Sequence, residues 1–168
     1  MTKLVIVESP AKCKKIEQIL GNGYKCIASY GHFRMMDGLK SIDVNNGFKI
    51  TYLKDKKKSK QISVMESEIK KAQEVILATD NDREGEAIAY HLKEALELED
   101  EPKRIKFNEI TPAAVLNAVN NPEKIDIGKF KSYEARRTLD RMIGYEISPK
   151  VRDLGGAFIS TGRVQGPA

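Results

Sequence analysis

Glu74-Val75-Ile76-Leu77-Ala78-Thr79-Asp80-Asn81-Asp82-Arg83-Glu84-Gly85-Glu86 joins a short apolar run directly to a dense acidic one. The apolar part, residues 75–78, reads as a buried strand, since a short continuous run is what a strand covered on both faces needs. The acidic part places four carboxylates within seven residues, Asp80 to Glu86. Asp80, Asp82 and Glu84 are spaced by two, so a backbone leaving the strand still extended would turn all three to one side. Close carboxylates repel one another unless a cation, a shared proton or a basic neighbour neutralises them. An all-oxygen cluster suits a hard divalent ion such as Mg2+, and the run reads as a metal and phosphate site. Acids gathered at a helix start would account for Asp82 and Glu84, but not for Asp80 against the strand.

The flanking segments alternate. Residues 4–7 form a short β-branched run that stops at Glu8-Ser9-Pro10, where Ser9 can cap a helix and Pro10 suits its first turn. Ile16, Ile19 and Leu20 then supply a helical stripe, ended by Gly21-Asn22-Gly23. Residues 24–30 read as a second strand and 48–53 as a weak one, while 35–60 are irregular. Ile62, Met65, Ile69 and Ala72 have helical spacing, and 87–98 form a helix with Ile88, Leu92 and Leu96 inward. Residues 105–107 suit a short strand, and Thr111-Pro112 opens a helix through Val119. Such alternation indicates an α/β fold with a parallel sheet. In that architecture ligands sit beyond the carboxyl ends of the strands, which would bring Glu8 to Asp80. From about residue 121 the strands stop, and 125–145 read as one long helix.

Composition sets outer bounds. The 168 residues suit one domain, or one plus part of another, and 40% apolar content is enough for a core. Mean hydropathy is −0.45, and no apolar run approaches a bilayer span; no membrane association is expected. The N-terminus meets Glu8 too early for a secretory signal. A net charge of +5, from 29 basic and 24 acidic residues, favours a polyanionic partner. Cys13 and Cys26 have no metal-ligand spacing, so reduced thiols in a cytosolic-type compartment are expected.

Other segments are less specific. Lys12, one turn past Glu8, could reach a phosphate near the carboxylates, whereas Lys14 and Lys15 read as exposed lysines. Gly31-His32-Phe33-Arg34 offers a glycine turn with a cation beside the crevice. Arg136 and Asp140 are four apart and read first as an intrahelical ion pair. Ser160-Thr161-Gly162-Arg163-Val164-Gln165 mixes groups that suit phosphate contacts. The lysine-rich run at 54–60 reads as a flexible loop.

Together these residues closely resemble the N-terminal part of type IA DNA topoisomerases. The matching pieces are the segments 4–12, 30–34, 78–89 and 107–111, the Ala135-Arg136-Arg137 and Asp140-Arg141 pieces, and Gly162-Arg163-Val164-Gln165. They run in the family's order along nearly the whole chain. The resemblance implies a Toprim domain at 1–120, a Rossmann-like parallel sheet between helices. It also implies that 121–168 begin a helical domain that grips single-stranded DNA. The implied reaction is ATP-independent cleavage and rejoining of one DNA strand through a 5′-phosphotyrosine, with negatively supercoiled DNA as substrate. By the same resemblance Glu8 would handle the proton on the 3′ oxygen, and Asp80, Asp82 and Glu84 would hold Mg2+ beside it, with Glu8 part of the acidic metal site. Lys12, His32, Arg34, Arg136, Asp140, Arg163 and Gln165 would contact DNA, which reverses the ion-pair reading of Arg136 and Asp140. The family's nucleophile matches none of Tyr24, Tyr30, Tyr52, Tyr90, Tyr133 or Tyr145 in context. The chain is therefore expected to be part of a longer, monomeric protein and inactive alone. The rivals are another Toprim enzyme, a primase or nuclease, and a metal-dependent DNA-binding module.

Overall fold

The computed structural model describes residues 2–36, 41–47 and 49–144. The chain runs β1 (Thr2–Val7), α1 (Pro10–Leu20), β2 (Tyr24–Ala28), β3 (Arg34–Met36), β4 (Ile42–Asp43), β5 (Lys49–Ile50) and β6 (Tyr52–Lys54). It continues through a 3-10 turn (Lys56–Lys58), α2 (Ser59–Lys71), β7 (Ala72–Leu77), α3 (Arg83–Ala95), β8 (Lys103–Arg104), α4 (Pro112–Asn120) and α5 (Ile127–Met142). Contacts divide it into two compact units, Met1–Met35 with Lys54–Phe130, and Met36–Leu53 with Lys131–Ala168.

The first unit is built on a parallel sheet of order β2-β1-β7-β8. β1 pairs with β2 through Val5↔Cys26 and with β7 through Ile6↔Leu77. Side chains of a strand alternate between faces, and β1 feeds two cores. Leu4 and Ile6 pack with Met65, Leu77, Ile88 and Leu92 from the α2 and α3 side. Val5 and Val7 pack with Ile16, Cys26, Ile76, Ile105 and Ala118 from the α1 and α4 side. Each such aliphatic side chain contributes about 1.5–3 kcal/mol on burial. This is the expected parallel sheet between helices. In the second unit β4 and β5 pair antiparallel.

Several boundaries differ from the sequence expectation. Ala72 opens β7 instead of closing the preceding helix. The second strand ends at Ala28 because Tyr30 and Gly31 both have positive φ, 59° and 97°, which extended backbone cannot accommodate. The last strand lies at Lys103–Arg104, ahead of 105–107, although Ile105 N still donates to Leu77 O at 2.9 Å. The lysine-rich run is not a loop: it holds the end of β6, the 3-10 turn capped by Asp55, and the start of α2. The long helix spans Ile127–Met142, and its expected end at Tyr145 lies outside the described residues. Cys13 and Cys26 are free thiols. Among the described residues no helix is long and apolar enough to cross a membrane.

Charged and titratable side chains are buried inside the first unit. Glu86 and Arg104 are both completely buried, with Arg104 Nε 3.1 Å from Glu86 Oε1. Lys106 Nζ reaches the same oxygen at 2.9 Å, and the Asp126 amide donates to Glu86 Oε2 at 2.8 Å. Burial pushes the Glu86 carboxyl up, but Lys106, Arg104 and the Asp126 amide outweigh it and hold the group below its ordinary value. His91 is also buried and accepts at Nδ1 from Arg34 Nε at 3.1 Å. Burial first, then Arg34 and His32, push its pKa down to about 3.

Glu86→Ala would leave the buried Arg104 without its carboxylate partner, so a loss of about 3–5 kcal/mol is expected in urea denaturation at neutral pH. His91 gives a separate pH signature. An unfolded chain protonates it near 6.5 and the folded chain only near 3, so between those values the unfolded state binds more protons. Stability is therefore lost as pH falls from 6.5 towards 3. Urea midpoints measured across that window should fall less steeply in His91→Gln than in the native protein.

Candidate metal and phosphate site

The sheet order places a crevice between β1 and β7. From β1 the chain passes through α1 to β2 on one side, and from β7 through α3 to β8 on the other. The order reverses between these two central strands, which is where open parallel sheets bind ligands. Glu8 follows β1, and Asp80 follows β7. The Asp80 amide donates to Glu8 Oε1 at 2.8 Å, and the Tyr30 amide donates to the Glu8 carbonyl at 3.0 Å. Ser9 caps α1, accepting from the Ala11 amide at 3.3 Å, with Pro10 in the first turn. That start aims Lys12 back at the crevice, its Nζ 2.6 Å from Asp80 Oδ1. Glu8, Lys12 and Asp80 are thus brought together as expected.

Burial is the largest influence on Glu8 and raises its pKa. The Asp80 amide and Lys12 oppose this, the Asp80 and Asp82 charges add to it, and the net shift is upward. A carboxyl shifted in that direction is better matched to proton transfer near neutral pH than an ordinary glutamate.

The spacing of two in the acidic run does not survive folding. β7 stops at Leu77 and α3 starts at Arg83, so the intervening residues form a tight turn. Asp82 is the N-cap of α3, its Oδ1 accepting from the Gly85 amide at 2.6 Å. Glu84 lies in the first helical turn, largely exposed, with Oε1 3.6 Å from His32 Nε2. The three acids therefore do not share a face, and no group of three or more such ligands is gathered among the described residues. The correction is geometric: a helix N-cap rotates successive residues by about 100°, not the 180° of a strand.

The donors nevertheless suit a hard cation chemically. Glu8 and Asp80 offer carboxylate oxygens at one crevice, and the Asp80 and Asp82 charges are part of what raises Glu8. Lys12 supplies the cation on Asp80. Beside them an open pocket of about 320 Å³ is lined by Lys12, Asp80, Asn81, Phe107 and Asn108, with Asn81 Nδ2 3.2 Å from Asn108 Oδ1.

Arg34 stands against His91 and over the Tyr90 ring, 5.9 Å from its centroid. Arg136 and Asp140 form the (i, i+4) pair of their ordinary reading, 3.7 Å apart on α5 in the second unit. Arg163 and Gln165 lie outside the described residues.

Sequence reasoning missed the support of the acidic turn. Arg104 NH1 donates to the Thr79 carbonyl at 2.6 Å and to the Ile105 carbonyl at 2.9 Å, and NH2 to the Asp80 carbonyl at 2.7 Å. Thr79 Oγ1 donates to the Gly85 carbonyl at 2.6 Å. A Cβ on Gly85 would stand 1.9 Å from the Asp80 carbonyl oxygen, so only glycine lets α3 close onto the turn. The one available signal for Arg104 was a cation beside the apolar Ile105, and that pattern is common on exposed strands.

Comparison with known proteins agrees with this architecture. DNA topoisomerase 1 of Zymomonas mobilis is 45% identical over 174 residues, covering 99% of this chain and 14% of that protein. DNA topoisomerase I, plasmid, of Xylella fastidiosa is 43% identical over 166 residues, covering 99% of this chain and 25% of its own length. The chain thus spans a quarter or less of these curated relatives. The structure of full-length topoisomerase I from Thermotoga maritima superposes with a TM-score of 0.85 at 40% identity, over 96% of this chain and 28% of that one. Residues 3–110, which hold the sheet, the crevice and the acidic turn, match the Toprim domain, and the chain belongs to that family.

Proposed function

We propose that this chain is the Toprim-bearing part of a type IA DNA topoisomerase, a protein that transiently cleaves and rejoins one DNA strand through a 5′-phosphotyrosine. The observation that carries the proposal is the meeting of Glu8, Lys12 and Asp80 at the reversal of strand order, in a chain similar along 99% of its length to DNA topoisomerase I. Residues 1–120 would form the Toprim domain, and 121–168 the start of a helical domain gripping single-stranded DNA. The remaining domains of the polypeptide, the attacking tyrosine among them, would come from beyond these 168 residues. The substrate is negatively supercoiled DNA in a reducing compartment, and the protein acts as a monomer.

The chemistry follows from the crevice. Exchange of one phosphodiester for another conserves bond energy and needs no ATP, but the leaving 3′ oxygen needs a proton and the phosphate needs charge neutralisation. Glu8 Oε atoms hold that proton and take it back on rejoining. Lys12 Nζ binds the phosphate beside the cut, alternating with its contact to Asp80. Asp80 and Asp82, with Glu8 beside them, would hold Mg2+, which when bound supplies further charge stabilisation at the phosphate, while Glu84 stays turned to His32. Arg136, Asp140, His32 and Arg34 position the DNA, joined by Arg163 and Gln165.

In the complete protein, Glu8→Gln should reduce cleavage of a single-stranded oligonucleotide by about 10²–10⁴-fold, the usual loss for a general acid. Unchanged cleavage would remove Glu8 from the reaction. Asp80→Asn with Asp82→Asn should raise the Mg2+ concentration needed for relaxation of supercoiled DNA. The 168-residue chain alone should neither cleave nor relax DNA, and addition of the tyrosine-bearing remainder should restore both activities. A complete protein that binds DNA and Mg2+ but never forms a tyrosine-linked strand would instead fit a binding module.

A further inference from the structure

Arg104 engages four of the five N–H donors of its guanidinium, although it is completely buried. Its nitrogens reach four acceptors: the carbonyls of Thr79, Asp80 and Ile105, and the Glu86 carboxylate. Two of those carbonyls belong to consecutive residues of the acidic turn. Most buried carbonyls are satisfied by other backbone groups, with side chains and water serving the rest, so a desolvated guanidinium on two consecutive carbonyls calls for a reason. Charge neutralisation of Glu86 is not a sufficient one. Lys106 already stands 2.9 Å from the same Glu86 oxygen, and Glu123 lies 3.9 Å from Lys106 in turn.

The Arg104 guanidinium lies directly behind the turn. The Thr79 and Asp80 carbonyls point back onto Arg104, so the Asp80 amide and side chain are turned forward into the crevice, towards Glu8 and Lys12. The planar fork fixes both carbonyls at once, which a point-charge ammonium cannot do.

We propose that Arg104 is a positioning residue for the metal-binding turn: its guanidinium clamps the Thr79 and Asp80 carbonyls and thereby sets the Asp80 carboxylate in the crevice. The proposal rests on the assignment above of Asp80 and Asp82 as holders of Mg2+. Outer partners of this kind typically change metal affinity by about 10–100-fold.

Two variants of the 168-residue chain test it. Arg104→Lys keeps the charge and loses the fork. Arg104→Gln loses both, while Lys106 still compensates Glu86 and keeps the carboxylate from being left bare. The first measurement is amide hydrogen exchange, read at Asp80 against Val5 and Ile6 of β1 as internal controls for folding. Loss of the clamp should speed Asp80 exchange by about tenfold, the equivalent of one hydrogen bond, with the β1 amides unchanged. A role confined to general stability would move the β1 amides equally, and would overturn the proposal. So would an Asp80 amide as protected in folded Arg104→Lys as in the native chain. The second measurement is Mn2+ titration, with about tenfold weaker binding expected in Arg104→Lys. Native-like Mn2+ affinity in that variant would also overturn it. If native chain and Asp80→Asn/Asp82→Asn bind Mn2+ equally, the metal assignment fails instead, and the exchange measurement still decides whether Arg104 sets Asp80.

Discussion

Parallel pairing of β1 with β7, in the register that sets Ile6 against Leu77, is the constraint from which the site follows. Glu8 and Asp80 are 72 positions apart in the chain, yet each emerges just past the carboxyl end of one of these two strands. The crossover from β1 turns one way and that from β7 the other, so α1 and α3 pack on opposite faces of the sheet. The pairing is held by burial on both faces, with Leu4 and Ile6 in one core and Val5 and Val7 in the other. A slip of one residue would exchange those sets and carry Glu8 away from the Asp80 amide.

Upon that frame, charge is distributed in two layers. In front, Glu8 and Asp80 share the crevice with Lys12, and burial with the repulsion of Asp80 and Asp82 raises Glu8. Behind, Glu86 binds Arg104, Lys106 and the amide of Asp126, which lies at the entry to α5. The acidic turn is thus fastened from behind by cations and faces forward with anions. Gly85 allows the helix to close on the turn without a side chain in the way. A buried ion pair is weak support for net stability, because desolvation cancels much of the Coulomb gain. Its value here is geometric.

Much of this was legible from residues 4–12 and 75–86. Short-range patterns carry well when one element both begins and ends locally: Ser9 and Pro10 started α1 where expected, Thr111 and Pro112 did the same for α4, and glycine ended α1. Boundaries failed where long-range pairing decides them. Ala72 completes a helical stripe by spacing but is drawn into β7 by its neighbour β1. The lysine-rich run looked like loop from charge alone, yet Asp55 capping and the amphipathic start of α2 gave it structure. The alternation of Asp80, Asp82 and Glu84 suggested convergence, and the N-cap at Asp82 removed it.

Local chemistry therefore determined the α/β class, the helix starts, and the placement of Glu8, Lys12 and Asp80 at strand ends and a helix start, because strand alternation, capping and charge density act within a few residues. Tertiary structure alone decided how those groups face one another. It also decided that Arg104, an unremarkable cation in the sequence, is buried behind the turn, and that Glu84 points to His32 instead of joining its acidic neighbours. The physical reason is that a side chain's partners across a sheet depend on register and crossover, and these are settled by the burial of residues far apart in the chain.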